Sequence, residues 1–240
     1  FNTNKRLYSE LTTLDNDMFK FLERARKIVA YCLGEAPTVD EICLNARFGP
    51  GTSSSAKKAT HIYEKQLSRR DVTPKALPYA FRLLKVRPEL FGHTLPDVYL
   101  NTDVRERFTL LECNKWDCVP KTAVTDRPIC IEPHINMALQ LGVGSIIRSK
   151  LKKLSIDLDN QFEVNRLLAK NALNWDLATI DFRSASDTIA ISFVKMLLPE
   201  SWFKVLNDLR CHITSYDEVE HVNHKFSSMG NGFTFELETL

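Results

Sequence analysis

Long apolar runs are missing from this 240-residue chain. None reaches the roughly 18 residues that cross a bilayer, so no membrane association is expected. The first residues are polar and no secretory leader is read. Excess charge is missing too. Thirty-two lysines and arginines stand against 30 aspartates and glutamates, a net charge of +2, so attraction to a nucleic acid has to arise locally. Six cysteines form no paired framework, which suits a reducing compartment. The loop Phe48-Gly49-Pro50-Gly51-Thr52-Ser53-Ser54-Ser55 lacks a GKS or GKT ending, which excludes a P-loop NTPase. His221 and His224 have no companion cysteines at zinc spacing and read as surface residues.

What is present is ordinary globular material. Hydrophobic residues make up 44% and charged residues 26%, enough to bury a core in one large domain or two small ones. The chain opens at Phe1 without an initiator Met and closes at Leu240 inside a helix-like pattern with no stop signal. Both ends read as cut, so a longer protein is expected.

Periodicity predicts a long amphipathic helix over 4–33, with Leu7, Leu11, Met18, Phe21, Ile28 and Val29 among its apolar stripe. Gly34 and Pro37 stop it. Thr38 with Glu41 forms a capping-box pattern for a shorter helix to about Ala46. The loop at 48–55, rich in backbone donors, could hold a phosphate or be a plain surface loop. Residues 60–112 read as short helices broken by prolines, and Arg105–Leu111 as a possible strand. Basic residues such as Arg69, Arg70 and Arg82 alternate there with Tyr63, Tyr79 and Phe81. That mixture suits a single-stranded nucleic-acid path or an unremarkable surface equally. Helices are predicted from Ile135 to about Leu154 and from Gln161 to Leu173. Another should start at Pro199 with Trp202, Phe203, Leu206 and Leu209 inward, and a polar hairpin or loop should span Tyr216 to Phe226.

Three stretches carry chemistry. In the first, Leu177–Thr188, an apolar run reads as a buried strand ending at Asp181. Small residues, a second acid at Asp187 and a helical pattern with Ile189, Phe193 and Val194 follow. A strand terminus is a rigid place for a metal-binding carboxylate, although an ordinary turn and a helix N-terminus would also use these acids. In the second, Cys118–Pro133, Lys121 and Arg127 flank a hairpin-like turn. Two cations placed so can clamp a polyphosphate, or pair with Asp126 and Glu132. In the third, Phe226–Glu238, two glycines and an Asn make a mobile loop opening a helix. Phe233 and Leu237 can pack down there, while Ser228 and Asn231 reach toward a sugar or backbone.

Together the segments VPKTAVTDRPICIEP, LATIDFRSASDT, LLPESWFKVLNDLR and KFSSMGNGFTFELE, with FGPGTSSS upstream, resemble the replicase β subunit of leviviruses, the positive-strand RNA bacteriophages. The resemblance covers most of the chain from about residue 45 onward. It implies an RNA-directed RNA polymerase with an α+β, right-hand fold. Residues 1–174 would be mainly fingers, residues 175–240 a partial palm, and the thumb would be absent. Lys121 and Arg127 would contact the incoming triphosphate. Asp181 would be the catalytic, metal-binding aspartate of the first palm motif. Asp187 would sense the ribose 2′-hydroxyl, and Ser228, Gly230 and Asn231 would hold template and nucleotide sugar. Two Mg²⁺ ions are implied, with RNA template and product and ribonucleoside triphosphates as partners. Host translation elongation factors, a ribosomal protein and the host cytoplasm follow from the family alone.

One departure limits this. The third palm motif of the family bears Gly-Asp-Asp, and no such triplet occurs here. The second set of metal ligands would lie beyond Leu240, so these 240 residues alone are expected to be inactive. A non-catalytic RNA-binding module and another palm-type nucleotidyltransferase are the competing readings.

Overall fold

The computed structural model describes residues 4, 15–57, 61–92, 107–180 and 184–240. Asp15 caps the first described helix, α1 (Asn16–Leu33), by accepting the amides of Asp17 and Met18. The helix stops at Gly34, whose N–H still reaches the Ala30 carbonyl while its positive φ of 58° turns the chain out of the helix. The first part of the expected 4–33 helix lies largely outside the described residues. The expected apolar stripe is corrected in the rest. Val29 and Leu33 are buried, but Met18, Phe21 and Ile28 are exposed, because only the last turns of α1 meet other described elements. The capping box starts α2 (Val39–Asn45) as read: Thr38 Oγ1 accepts the Glu41 amide at 3.2 Å, and Glu41 accepts the Thr38 amide at 2.7 Å.

Short pieces follow: α3 (Ile62–Leu67), β1 (Asp71–Val72), α4 (Leu77–Val86) and β2 (Thr109–Leu110), which pairs with β1 in parallel. The possible strand at Arg105–Leu111 is realised at its end.

The organising helix is α5 (His134–Lys153), which buries eleven of its residues. Gly142 lets α2 approach it; a Cβ there would stand 2.7 Å from the Ile42 carbonyl oxygen. α6 (Gln161–Asn171) forms as predicted yet buries no residue. Beyond 181–183 come the one-turn α7 (Ala185–Thr188), α8 (Ile191–Leu197) and α9 (Glu200–Leu209). Trp202 of α9 is fully buried and its indole N–H donates to the Gly34 carbonyl at 3.0 Å, which ties the α9 end of the core to the end of α1. Leu206 and Leu209 are also buried as predicted. Phe193, expected on the apolar face of α8, is instead part-exposed, whereas Val194 is buried.

A four-stranded sheet lies beside this core. β3 (Cys113–Pro120) pairs antiparallel with β4 (Asp126–Ile131) and parallel with β5 (Ile213–Tyr216), and β5 turns back into β6 (Val219–Val222). Asp217 and Glu218 both take positive φ in that turn, the twist that suits a two-residue hairpin. The sheet order is β4-β3-β5-β6, so it joins the segment before α5 to the segment after α9. The last helix is α10 (Thr234–Thr239). Mixed helix and sheet bear out the α+β class.

The buried strand expected at Leu177–Ile180 is not formed. These residues are irregular, and Leu177 and Ile180 are exposed. A single strand cannot satisfy its own amides or cover its two faces, and none of the described strands lies beside it.

Candidate functional site

The β3–β4 hairpin carries the two predicted cations. Val119 faces Arg127 across the ladder. The turn closes where the Lys121 and Thr122 amides both donate to the Thr125 carbonyl at 3.0 Å. The outer half of the hairpin is solvent-exposed, including Lys121 and Arg127. Neither cation forms an ion pair among the described residues. Pairing with Asp126 and Glu132, the alternative weighed from sequence, is not what the structure has. Glu132 is instead buried, accepting from Asn114 Nδ2 at 2.7 Å and Gln140 Nε2 at 2.9 Å. Two unneutralised cations on one tip can receive a polyanion.

At the other end of β4 lies the glycine loop. The Cys130 amide donates to the Met229 carbonyl at 2.8 Å, so the loop closes the outer edge of the edge strand. Cys130 and Arg127 are three residues apart, about 10 Å along the strand. Gly230 sits at φ 109°, and a Cβ there would collide with the Cys130 carbonyl oxygen. Gly232 presses on α5, where an added Cβ would lie 2.8 Å from the Leu141 amide nitrogen. Gly144 of α5 provides matching room, its own Cβ position being 2.8 Å from the Gly232 oxygen. The loop is thus fastened, where the sequence reading expected it to be mobile.

Ser228 and Asn231, expected to reach toward a sugar or backbone, are both buried. Ser228 is buried against Cys130, and its carbonyl accepts the Thr234 hydroxyl. The Asn231 side-chain Oδ1 accepts the Phe233 amide at 3.0 Å. Where the loop is buried, at Ser228 and Asn231, backbone groups are satisfied by its own polar side chains. Phe233 and Leu237 pack down as expected.

Asp181 lies outside the described residues, as do Phe182 and Arg183. Ser184 follows at φ 56°, ψ 40°, a left-handed conformation uncommon for a residue other than glycine or Asn. Asp187, half-exposed in α7, accepts from Lys225 Nζ at 2.6 Å. Ala190 and Lys225 form a β-bridge, and the Phe226 amide donates to the Ile189 carbonyl. The Asp187 segment is therefore bound to the residues that run directly into the glycine loop. Glu238 of α10 lies close enough for burial, and then the Asp187 charge, to raise its pKa. The structure brings Asp187, Ser228, Gly230, Asn231 and β4 together and leaves Lys121 and Arg127 projecting on the tip.

A buried polar layer supports this region. Burial raises the Glu132 pKa, against hydrogen bonds from Gln140, Asn114 and the Cys211 thiol. Arg210 is buried over the Phe226 ring, 5.2 Å from its centroid, and burial pushes its pKa down to about 10. Sequence reading missed Gln140, Lys225 and Arg210. For Gln140 a signal existed. Asn136 and Gln140 stand four apart on the buried stripe of α5, and polar residues on an apolar face need partners.

The loop at 48–55 is no phosphate cradle. Its Gly49 and Gly51 carbonyls point at Lys65 Nζ, at 2.6 and 2.8 Å, and Ser53 Oγ is bonded to His134 Nδ1. A loop that turns its acceptors inward around its own ammonium offers no nest of donors. His221 and His224 are exposed, and no described group of three His, Cys, Asp or Glu side chains could hold a metal ion. No described helix is long and apolar enough to cross a membrane.

An α+β scaffold that joins a cation-tipped hairpin to a fastened glycine loop is thus the frame of the site. The family model for the RNA replicase β-chain matches residues 2–240, and the chain belongs to that family. It is 36% identical over 247 residues to the RNA-directed RNA polymerase subunit beta of Qbeta virus (strain MX1), covering 99% of this chain and 39% of that one. The same subunit of Enterobacteria phage SP is 37% identical, with 99% and 40% covered. The RNA-directed RNA polymerase beta chain of Escherichia phage MS2 is 39% identical over 178 residues, with 74% and 32% covered. The chain spans about two fifths or less of the length of these relatives.

Proposed function

We propose that this chain is the fingers and first palm portion of an RNA-directed RNA polymerase that replicates an RNA bacteriophage genome. The observation that carries the reading is the union, on one hairpin, of two cations without an ion pair among the described residues at its tip and the glycine loop at the far end of β4. The names of the relatives support it. In this reading Lys121 meets the triphosphate as a point charge and Arg127 as a two-pronged donor. The fastened glycine loop, with Ser228, Gly230 and Asn231, shapes the floor beneath template and sugar, and Asp187, held by Lys225, faces the ribose 2′-hydroxyl. The reaction is attack of an RNA 3′-hydroxyl on the α-phosphate with pyrophosphate leaving.

Asp181 is the metal ligand and catalytic residue of this chain in the proposal, and carboxylate oxygen is the donor that Mg²⁺ prefers. Asp187 is a poor second ligand, since Lys225 already occupies one of its oxygens. The remaining carboxylates are assigned to a Gly-Asp-Asp segment not contained in residues 1–240. When bound, two Mg²⁺ ions supply charge stabilisation to the attacking and leaving oxygens. Residues 1–240 alone are therefore inactive. Host elongation factors, a ribosomal protein and the host cytoplasm are carried over from the family resemblance.

The test is primer extension on an RNA template by the full-length replicase containing this chain, with Mg²⁺ and ribonucleotides. Template-directed synthesis is expected, and Asp181→Asn should lower it more than a thousandfold, in line with loss of a group essential to the transition state. Undiminished synthesis by Asp181→Asn would favour a non-catalytic RNA-binding role. Synthesis by residues 1–240 alone would contradict the assignment of the missing carboxylates.

A further inference from the structure

We infer that Glu132 and Gln140 are positioning residues that set the pose of the glycine loop, and through it the fit of the incoming nucleotide; this rests on the polymerase reading above. The loop is held at two points. Cys130 holds Met229 directly, amide to carbonyl, at 2.8 Å. Gln140 holds Gly232, its Oε1 accepting the Gly232 amide at 3.1 Å. Both tethers rise from the end of one strand, because Glu132, two residues past Cys130, governs Gln140.

A glutamine amide can sit either way round. Here its NH₂ end is fixed by two acceptors, the Glu132 carboxylate at 2.9 Å and the Leu209 carbonyl at 2.9 Å. The Leu209 carbonyl cannot donate, and Glu132 cannot while ionised, so the Gln140 NH₂ faces these two and its oxygen faces Gly232. Glu132 is itself held by Asn114 Nδ2 at 2.7 Å, and Asn114 in turn accepts the Thr214 hydroxyl of β5 at 2.6 Å. The chain of bonds therefore runs from the central strands of the sheet through Glu132 and Gln140 into the loop.

Glu132 is 1% exposed and has no ion pair among the described residues. A carboxylate so placed is costly, and an apolar side chain of similar size would fill the space with less penalty. Its ionised carboxylate, beside the Leu209 carbonyl, is however what orients Gln140. The tether also has no slack. Gly232 is pressed so close that an added Cβ would be 2.9 Å from Gln140 Cβ. Losing the Gly232 bond leaves that amide without an acceptor and lets the loop shift relative to β4, the strand that carries Arg127.

The experiment is nucleotide incorporation by the full-length replicase with Gln140→Leu, Gln140→Glu and the exchanged pair Glu132→Gln/Gln140→Glu. Gln140→Leu should raise the KM for ribonucleotide about fivefold to tenfold, the size of one hydrogen bond. It should leave kcat within about twofold and lower the preference for ribo- over deoxyribonucleotide. Gln140→Glu sets two carboxylates face to face and should be worse. The exchanged pair keeps an acceptor for Gly232 and supplies a donor from residue 132 to residue 140, while the Leu209 carbonyl loses its donor from 140 as it does in Gln140→Glu; it should bring KM part of the way back from the Gln140→Glu value. Unchanged KM and sugar preference in a soluble Gln140→Leu enzyme would overturn the proposal. So would an exchanged pair no better than Gln140→Glu alone, a comparison that stands even if Gln140→Leu fails to fold. A parent enzyme that makes no RNA would instead sink the polymerase reading itself.

Discussion

The glycine loop and the acid-bearing stretch before α7 belong to the same proposed site, yet the structure treats them oppositely. Residues 226–233 are fastened at several points: Phe226 to Ile189, Met229 to Cys130, Gly232 to Gln140, with Phe226 and Phe233 fully buried. Leu173, Trp175, Leu177 and Ile180 are exposed and form no strand. Both segments are apolar enough to pack. The difference is in what surrounds them. The loop finds an edge strand and a helix within this chain, whereas the lead-in to Asp181 finds no strand among the described residues. Folding of a strand is a property of its neighbours, while a loop of glycines and small polar residues can be fastened locally.

The comparison breaks most sharply at Gly230. Gly230→Ala should destabilise the protein by about 3 kcal/mol or more, since a side chain at φ 109° is strained and its Cβ meets the Cys130 carbonyl. A thermal melt of the full-length protein reads this, and an unshifted midpoint would mean the loop is not seated on β4. Ile180→Ser in residues 1–240 is the counterpart. With Ile180 74% exposed, the change should stay within about 0.5 kcal/mol by denaturant unfolding. A large loss would show that 177–180 are packed after all.

A smaller effect concerns pH beneath the fastened side. Burial first, and then the Arg210 charge, push the His212 pKa down to about 4. The folded state thus resists protonation that the unfolded chain accepts near 6.5. The stability associated with neutral His212 is complete above pH 6.5 and is lost as pH falls toward 4. Melting temperature measured across that window should fall with acidity, and His212→Gln should flatten the fall.

Much of this was legible from residues alone. The capping box at Thr38, the stop at Gly34, the hairpin between Lys121 and Arg127 and the burial of Trp202, Phe233 and Leu237 all follow from local rules that tertiary context did not overturn. The exposed faces of α1 and α6 were not legible, because periodicity reports that a stripe exists and not that anything covers it. Leu177–Ile180 failed as a strand for the same reason. Ser228 and Asn231 were placed in the loop by the sequence, but their burial was not legible. That burial depends on Cys130 and Phe233, partners distant from one and adjacent to the other, and neither is visible in a spacing. The pairing of Asp187 with Lys225, 38 residues apart, likewise needed the fold.

The most direct test of the account is photocrosslinking of 4-thio-UTP to the full-length replicase containing this chain, in the presence of template RNA, with the adducts mapped by peptide mass spectrometry. If the nucleotide lies between the hairpin tip and the glycine loop, adducts fall in the peptides holding residues 119–130 and 226–235, and unlabelled UTP competes them away. Competable adducts confined to other segments, with neither of these peptides labelled, would contradict it.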